Sequence, residues 1–169
     1  MDIRMQPVSV AIAGADRDQC SGYERLLQGE FGISLLADVA TSQDSGKYLT
    51  FLNRRLRART DVTVCEQEVA RIKRLKPLVL LVNVNRYSDE DCELLLSLRR
   101  ECPEVLIVLL ADDSVHEDLI MHGLEIGARG YLKYASVQLH LTMAIQMVGY
   151  GEAWVPRRML GNIMDRILH

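Results

Sequence analysis

Four short apolar runs each end in residues of the kind that gather at a polar site. Val8–Ala13 is followed by Gly14, Ala15 and Asp16, and Leu78–Val82 by Asn83. Val105–Leu110 is followed by Asp112, Asp113 and Ser114, and Gly130–Lys133 by Tyr134. Carboxylates in such places could hold a hard cation, which wants several oxygen ligands, and Lys133 or Tyr134 could donate to an anion. The supply of acids is thin, however. Asp112 and Asp113 read as solvated loop acids beside the lone Asp16, so no metal site and no cofactor are expected. His116, His122, His140 and His169 are dispersed, with no obvious nucleophile or carboxylate partner. The chain has no GxxxxGK phosphate loop, no GxGxxG turn and no GxSxG elbow, so an enzyme is not expected. Cys20, Cys65, Cys92 and Cys102 show neither CxxC spacing nor a nearby His pair, which argues against zinc. With no export signal at the N-terminus, they read as free, mostly buried thiols of a cytoplasmic protein.

The elements that must position these residues are legible from periodicity. The runs Val8–Ala13, Ile33–Ala37, Leu78–Val82, Val105–Leu110 and Gly130–Lys133 read as strands. Near-continuous apolar strands suit a parallel sheet covered on both faces. Between them lie helical patterns. One carries Tyr23, Leu26 and Leu27 and stops at Gly29; a second runs Glu66–Leu75 and breaks at Lys76-Pro77. A third, Asp91–Arg100, puts Leu94, Leu95 and Leu98 on one face; a fourth runs His116–Ile126 to Gly127. The fifth, Gln138–Val148, turns Leu141, Ala144, Ile145 and Val148 inward. Strands alternating with helices give an α/β, doubly wound layer whose site lies beyond the C-terminal strand ends. At 169 residues, 49% of them hydrophobic, the chain can build one ordinary core. Its longest apolar run is far short of the roughly 20 residues of a membrane helix, and a net charge of −3 offers no global case for nucleic acid.

The segment Thr41–Cys65 departs from the repeat. Lys47 to Lys76 holds nine Lys/Arg against three Asp/Glu, a local +6 that leaves −9 for the remainder. Arg54, Arg55, Arg57 and Arg59 form its densest part, a possible basic interaction surface whose default reading is a solvated helix face. The sequence DVTVC at Asp61–Cys65 is an alternative second strand, less favoured because Ile33–Ala37 lies at a more usual distance from the first helix. Beyond Pro156, Leu160, Ile163, Met164, Ile167 and Leu168 recur at helical spacing. That short helix could dock on its own domain, pair with a second subunit, or lead into a further domain.

The strands together with GLEIGARGYLKYAS and GYGEAWVPRRM resemble the receiver domain of bacterial response regulators, in the NarL/FixJ branch of LuxR-type regulators. The resemblance covers Pro7–Ala40 and Glu66–Pro156. It implies a five-stranded flavodoxin/CheY-like sheet of order 2-1-3-4-5 with an insertion at about 41–65 after the second strand. It also implies a receiver-like unit at 1–156 and a linker helix at 157–169. Such receivers phosphorylate an Asp after the third strand, with Mg²⁺ held by that Asp and by acids after the first. A Ser/Thr after the fourth strand and a Lys after the fifth sense the phosphoryl group.

Carried over residue by residue, this equipment is missing. The acid pair falls on Gly14 and Ala15, with Asp16 one residue late, and the phosphoacceptor falls on Asn83, whose neutral amide is no acyl-phosphate nucleophile. The Ser/Thr falls on Leu110, with Ser114 nearby, and the Lys on Tyr134, or on Lys133 after a one-residue deletion. The expectation is a two-component regulatory domain that works without phosphorylation, by homodimerisation or contact with a protein partner. Tyr131, Tyr134, His140 and Met143 make a candidate surface, although Met143 and Met147 read first as core. DNA would be read only through a C-terminal domain beyond this chain, and no membrane contact is expected. The alternatives are a stand-alone interaction scaffold and a ligand sensor. For the sensor, Trp154-Val155-Pro156-Arg157 has the Trp-x-x-Arg spacing with which some receivers of this branch bind cyclic di-GMP.

Overall fold

The computed structural model describes residues 6–14, 17–36, 54–86 and 93–169, without the side chains of Arg17, of residues 54–64 and of Arg86. Ala15, Asp16 and most of the 41–65 segment lie outside the described residues, as does Cys92. Strands β1 (Val8–Ala13), β2 (Ile33–Leu35), β3 (Val79–Asn83), β4 (Leu106–Ala111) and β5 (Gly130–Lys133) form one parallel sheet of order β2-β1-β3-β4-β5. This is the order expected from the sequence. β3 is buried along its whole length and β4 along nearly all of it, which is why both read as unbroken apolar runs. Each strand starts or ends within a residue or two of its expected place, and β3 runs one residue later than the apolar run, taking Asn83 into the ladder.

Helices α1 (Arg17–Leu27) and α5 (Tyr134–Gly149) cover one face of the sheet; α2 (Arg54–Leu75), α3 (Glu93–Glu101) and α4 (Glu117–Ile126) cover the other. The alternation of side chains along the strands divides the core accordingly. Val8, Val10, Val79, Leu81, Val108 and Leu110 point to the first face, Ala11, Leu80, Val82, Ile107 and Leu109 to the second. α3 buries Leu94, Leu95 and Leu98, and α5 buries Val137, Leu141, Ala144, Ile145 and Val148. These are the inward faces that 3.6-residue spacing predicts.

Ile33–Leu35 is the second strand, as preferred from the sequence, while several other expectations need correction. The disfavoured alternative, Asp61–Cys65, lies inside α2, which runs unbroken from Arg54 to Leu75; the β-branched alternation there yields to a helical context. The insertion boundary at 65 therefore cuts through a helix. Helix α5 begins at Tyr134 rather than Gln138, with Lys133 as an N-cap that makes no side-chain capping bond, so no Ser/Thr/Asp/Asn marks its start. Tyr131, offered as a surface residue, is buried in the α4 side of the core, whereas Met143, read first as core, is 56% exposed. Helix α6 (Arg157–Leu168) folds back on the domain, with Met159 buried and Ile163 packed against the same core.

Candidate functional site

The C-terminal ends of β3, β4 and β5 converge where the sequence places the site. Asn83 is the last residue of β3, Leu110 its register partner on β4, and Lys133 the register partner of Ala111. Asn83 is 3% exposed and, the tyrosines Tyr23 and Tyr131 aside, is the only buried polar or charged side chain among the described residues. A buried amide is costly unless its donors and acceptors are matched, and here they are. Its Nδ2 donates to Gln19 Oε1 of α1 at 2.9 Å, and its Oδ1 accepts from the Tyr134 hydroxyl in a short hydrogen bond. No buried side-chain polar atom among the described residues lacks a partner.

The neighbouring positions reinforce this closed arrangement. Leu110 is fully buried beside Asn83 and presents only methyl groups. Gly14 has φ 77°, a left-handed conformation that strains any side chain with a Cβ. Lys133 is solvent-facing and pairs with Asp113, Nζ to Oδ1 at 3.2 Å. Tyr134, not Lys133, is the residue after β5 that reaches Asn83.

A second, exposed network ties the loops after β3 and β4 together. Asn85 Oδ1 accepts from the Asp112 backbone N–H at 3.0 Å, and Asn85 Nδ2 donates to Ser114 Oγ at 3.3 Å. Asp112 Oδ1 accepts from the Ser114 N–H at 2.8 Å and, in a short bond, from its hydroxyl. The Ser114 hydroxyl first, then Asn85, hold the Asp112 carboxyl below the usual carboxylate range. Asp112 is thus committed to its own loop, and no group of three metal-ligating side chains occurs among the described residues.

The remaining candidates lie apart. Trp154 forms a parallel bridge with Gly130, its carbonyl accepting from the Tyr131 N–H at 2.9 Å and its own N–H donating to Arg129 O at 3.0 Å. Its indole is half-buried against the core that α5 covers, with the His140 ring 6.0 Å away centroid to centroid. Arg157 begins α6 and is exposed. Arg54, Arg55, Arg57 and Arg59 stand in the first turns of α2, and their side chains lie outside the described residues. Cys20, Cys65 and Cys102 form no disulfide, and of these only Cys102 is buried.

Gln19 was missed by sequence reasoning. A glutamine early in a helix belongs to no motif, and only the packing of α1 over the strand ends gives it a role. Beside it, a groove of about 450 Å³ runs between α1 and α5, lined by Gln19, Tyr23, Arg25, Leu26, Tyr134 and Gln138. The outer face of α5 adds exposed apolar side chains at Leu139 and Met143, with the exposed Tyr150 just past its C-terminus.

No protein-family model matches this sequence, and no curated protein matches it significantly. Solved structures do match. The isolated REC domain of RcsB from Salmonella enterica serovar Typhimurium is 12% identical, with a TM-score of 0.66 over 94% of this chain and 98% of that one. A LuxR-family two-component response regulator from Aurantimonas is 13% identical, also at 0.66, over 97% and 100%. A CheY-like protein (TadZ) from Pseudomonas aeruginosa is 15% identical at 0.52, over 82% and 96%. The chain therefore has the CheY-like receiver fold, in the form seen in the receiver domains of LuxR-family response regulators.

Proposed function

We propose that this chain is a phosphorylation-independent receiver: a regulatory, non-enzymatic domain of a LuxR-type two-component transcription regulator that acts by forming a homodimer. Residues 1–156 are the receiver-like unit and 157–169 the linker helix. The observation that carries the reading is the neutral trio Gln19–Asn83–Tyr134. Conventional receiver chemistry needs a carboxylate nucleophile, oxygen ligands for a cation and a cation to sense the product. Here the nucleophile position holds an amide whose polar atoms already have partners, and Lys133 is paired elsewhere. The trio supplies internally the hydrogen bonds that a phosphoryl group would otherwise organise.

The exposed apolar side chains Leu139 and Met143, with Tyr150 just beyond, support placing the dimer contact on the outer face of α5. The half-buried Trp154 supports a packing role over cyclic dinucleotide stacking. The neighbour RcsB has been solved as two dimers bound to two parallel DNAs, which suits DNA binding through a C-terminal domain rather than through this one. The deciding experiment treats the protein with acetyl phosphate and Mg²⁺, and separately with beryllofluoride and Mg²⁺. The expected result is no added mass of a phosphoryl group, no change in sedimentation and no thermal shift. A phosphoryl adduct or a beryllofluoride-induced change of oligomeric state refutes the reading.

A further inference from the structure

Helix α6 lies along α4 in a way that combines an apolar centre with a charged rim. Met159 is 4% exposed, and Ile163 packs on the core cluster that includes Ile120, Leu124 and Tyr131, as Leu119 and Ile126 of α4 do. At the rim, Arg158 Nη2 sits 2.7 Å from Glu117 Oε2 and Arg166 Nη1 2.8 Å from Glu125 Oε1, with Arg166 Nη2 3.5 Å from Asp118 Oδ1. All these charges are substantially exposed, so each pair is a weak, salt-screened tie rather than a rivet. α6 has only 12 residues, with Gly161 at its middle turned toward open space. A helix of that length and composition is marginal in water without a surface to dock on.

We propose that the α4 face is a docking site for a basic amphipathic helix, filled in this chain by α6 acting as a releasable strap. Charge complementarity defines the occupant. α4 offers Glu117 and Asp118 in its first turn, Glu125 near its end and no basic residue in its last turn. It takes a helix with two arginines eight positions apart, astride apolar residues one and five positions after the first. A partner helix of that pattern displaces α6 and takes its place, so access to this face is governed by competition with the strap.

The test follows amide hydrogen exchange of the full chain and of the variants R158E/R166E and R158E/R166E/E117R/E125R. The double reversal is expected to raise exchange of the α6 amides about tenfold or more, with α5 unchanged, and the charge swap to restore protection. A labelled peptide of residues 157–169 is then added to each full-length protein, with an E117R/E125R chain as control. It is expected to bind the R158E/R166E chain, whose α4 acids are intact and whose strap is loosened. It binds the wild type more weakly and the E117R/E125R chain not at all. Unchanged α6 protection in the double reversal overturns the proposal. So does a peptide that binds no variant, or one that binds the E117R/E125R chain as well as the R158E/R166E chain.

Discussion

Placing a carboxylate at the end of β3 by Asn83→Asp is expected to destabilise this protein in a way that depends on pH. At low pH the protonated acid copies the amide: its O–H donates to Gln19 Oε1 and its carbonyl accepts from Tyr134, replacing the two bonds of Asn83. Above the ordinary Asp range the side chain must ionise at a position only 3% exposed. Among the described side chains the carboxylate then meets two neutral donors, the Tyr134 hydroxyl and a Gln19 amide turned over to face it, while Lys133 is paired with Asp113. Burial of that kind raises a carboxyl by about two units, or about 2.7 kcal/mol. The native pKa is then higher than the unfolded value near 3.9, so the variant matches the wild type below about pH 4. It loses stability as pH climbs to about 6, and the loss is constant beyond. For a domain of this size that is a drop in Tm of about 5–10 °C at pH 8. Thermal or urea melts of both proteins from pH 3.5 to pH 8 measure it. An equal deficit at both ends of that range refutes the buried-network argument, and so does a variant that Mg²⁺ with beryllofluoride stabilises at pH 8.

Other outcomes follow from the same geometry. Tyr134→Phe strands Asn83 Oδ1 without its donor and is expected to cost about 1–2 kcal/mol in urea unfolding. Lys133→Ala, which removes only an exposed pair with Asp113, is expected to cost about 0.5 kcal/mol or less in the same melts. Burial holds the Tyr131 hydroxyl above the usual tyrosine range. Native stability is therefore expected to fall as pH rises past about 10, where the unfolded phenol ionises first, and Tyr131→Phe should remove that alkaline slope. If the proposed homodimer forms through the outer face of α5, Leu139→Glu with Met143→Glu should leave only monomer in sedimentation, where the wild type sediments as a dimer.

The sheet was legible because a strand buried on both sides leaves no room for polar residues. Runs such as LVLLV and VLIVLL announce β3 and β4, and their ends announce where Asn83 and Leu110 sit. Helix ends were less legible where chemistry is silent. Lys133 caps α5 without a capping side chain, so the Tyr134 hydroxyl could be assigned to Asn83 only once the first turn of α5 was in place. Asp61–Cys65 is rightly disfavoured as a strand: its β-branched alternation is a local signal, and the long α2 overrides it. Gln19 and the Asn85–Asp112–Ser114 ties are products of tertiary approach between segments far apart in the chain, which no spacing rule contains. The two-sided character of α6 was half visible. The pattern Leu160, Ile163, Met164, Ile167, Leu168 mixes its faces: Met159 and Ile163 turn inward, while Leu160, Met164, Ile167 and Leu168 remain outside.

The bridge between Trp154 and Gly130 has a consequence for how copies of this protein can meet. An open parallel sheet ends in two rows of unsatisfied backbone groups, each a template onto which a foreign strand can add. On the β5 side the returning chain occupies that row itself, with hydrogen bonds running both ways between Trp154 and the backbone of Arg129 and Tyr131. On the other side, β2 pairs over only three residues and offers little to copy. Association by sheet extension, the route toward fibres, is thereby discouraged at both rims. Among the described residues, contacts between molecules then fall to helical surfaces, where side chains rather than backbone decide who binds.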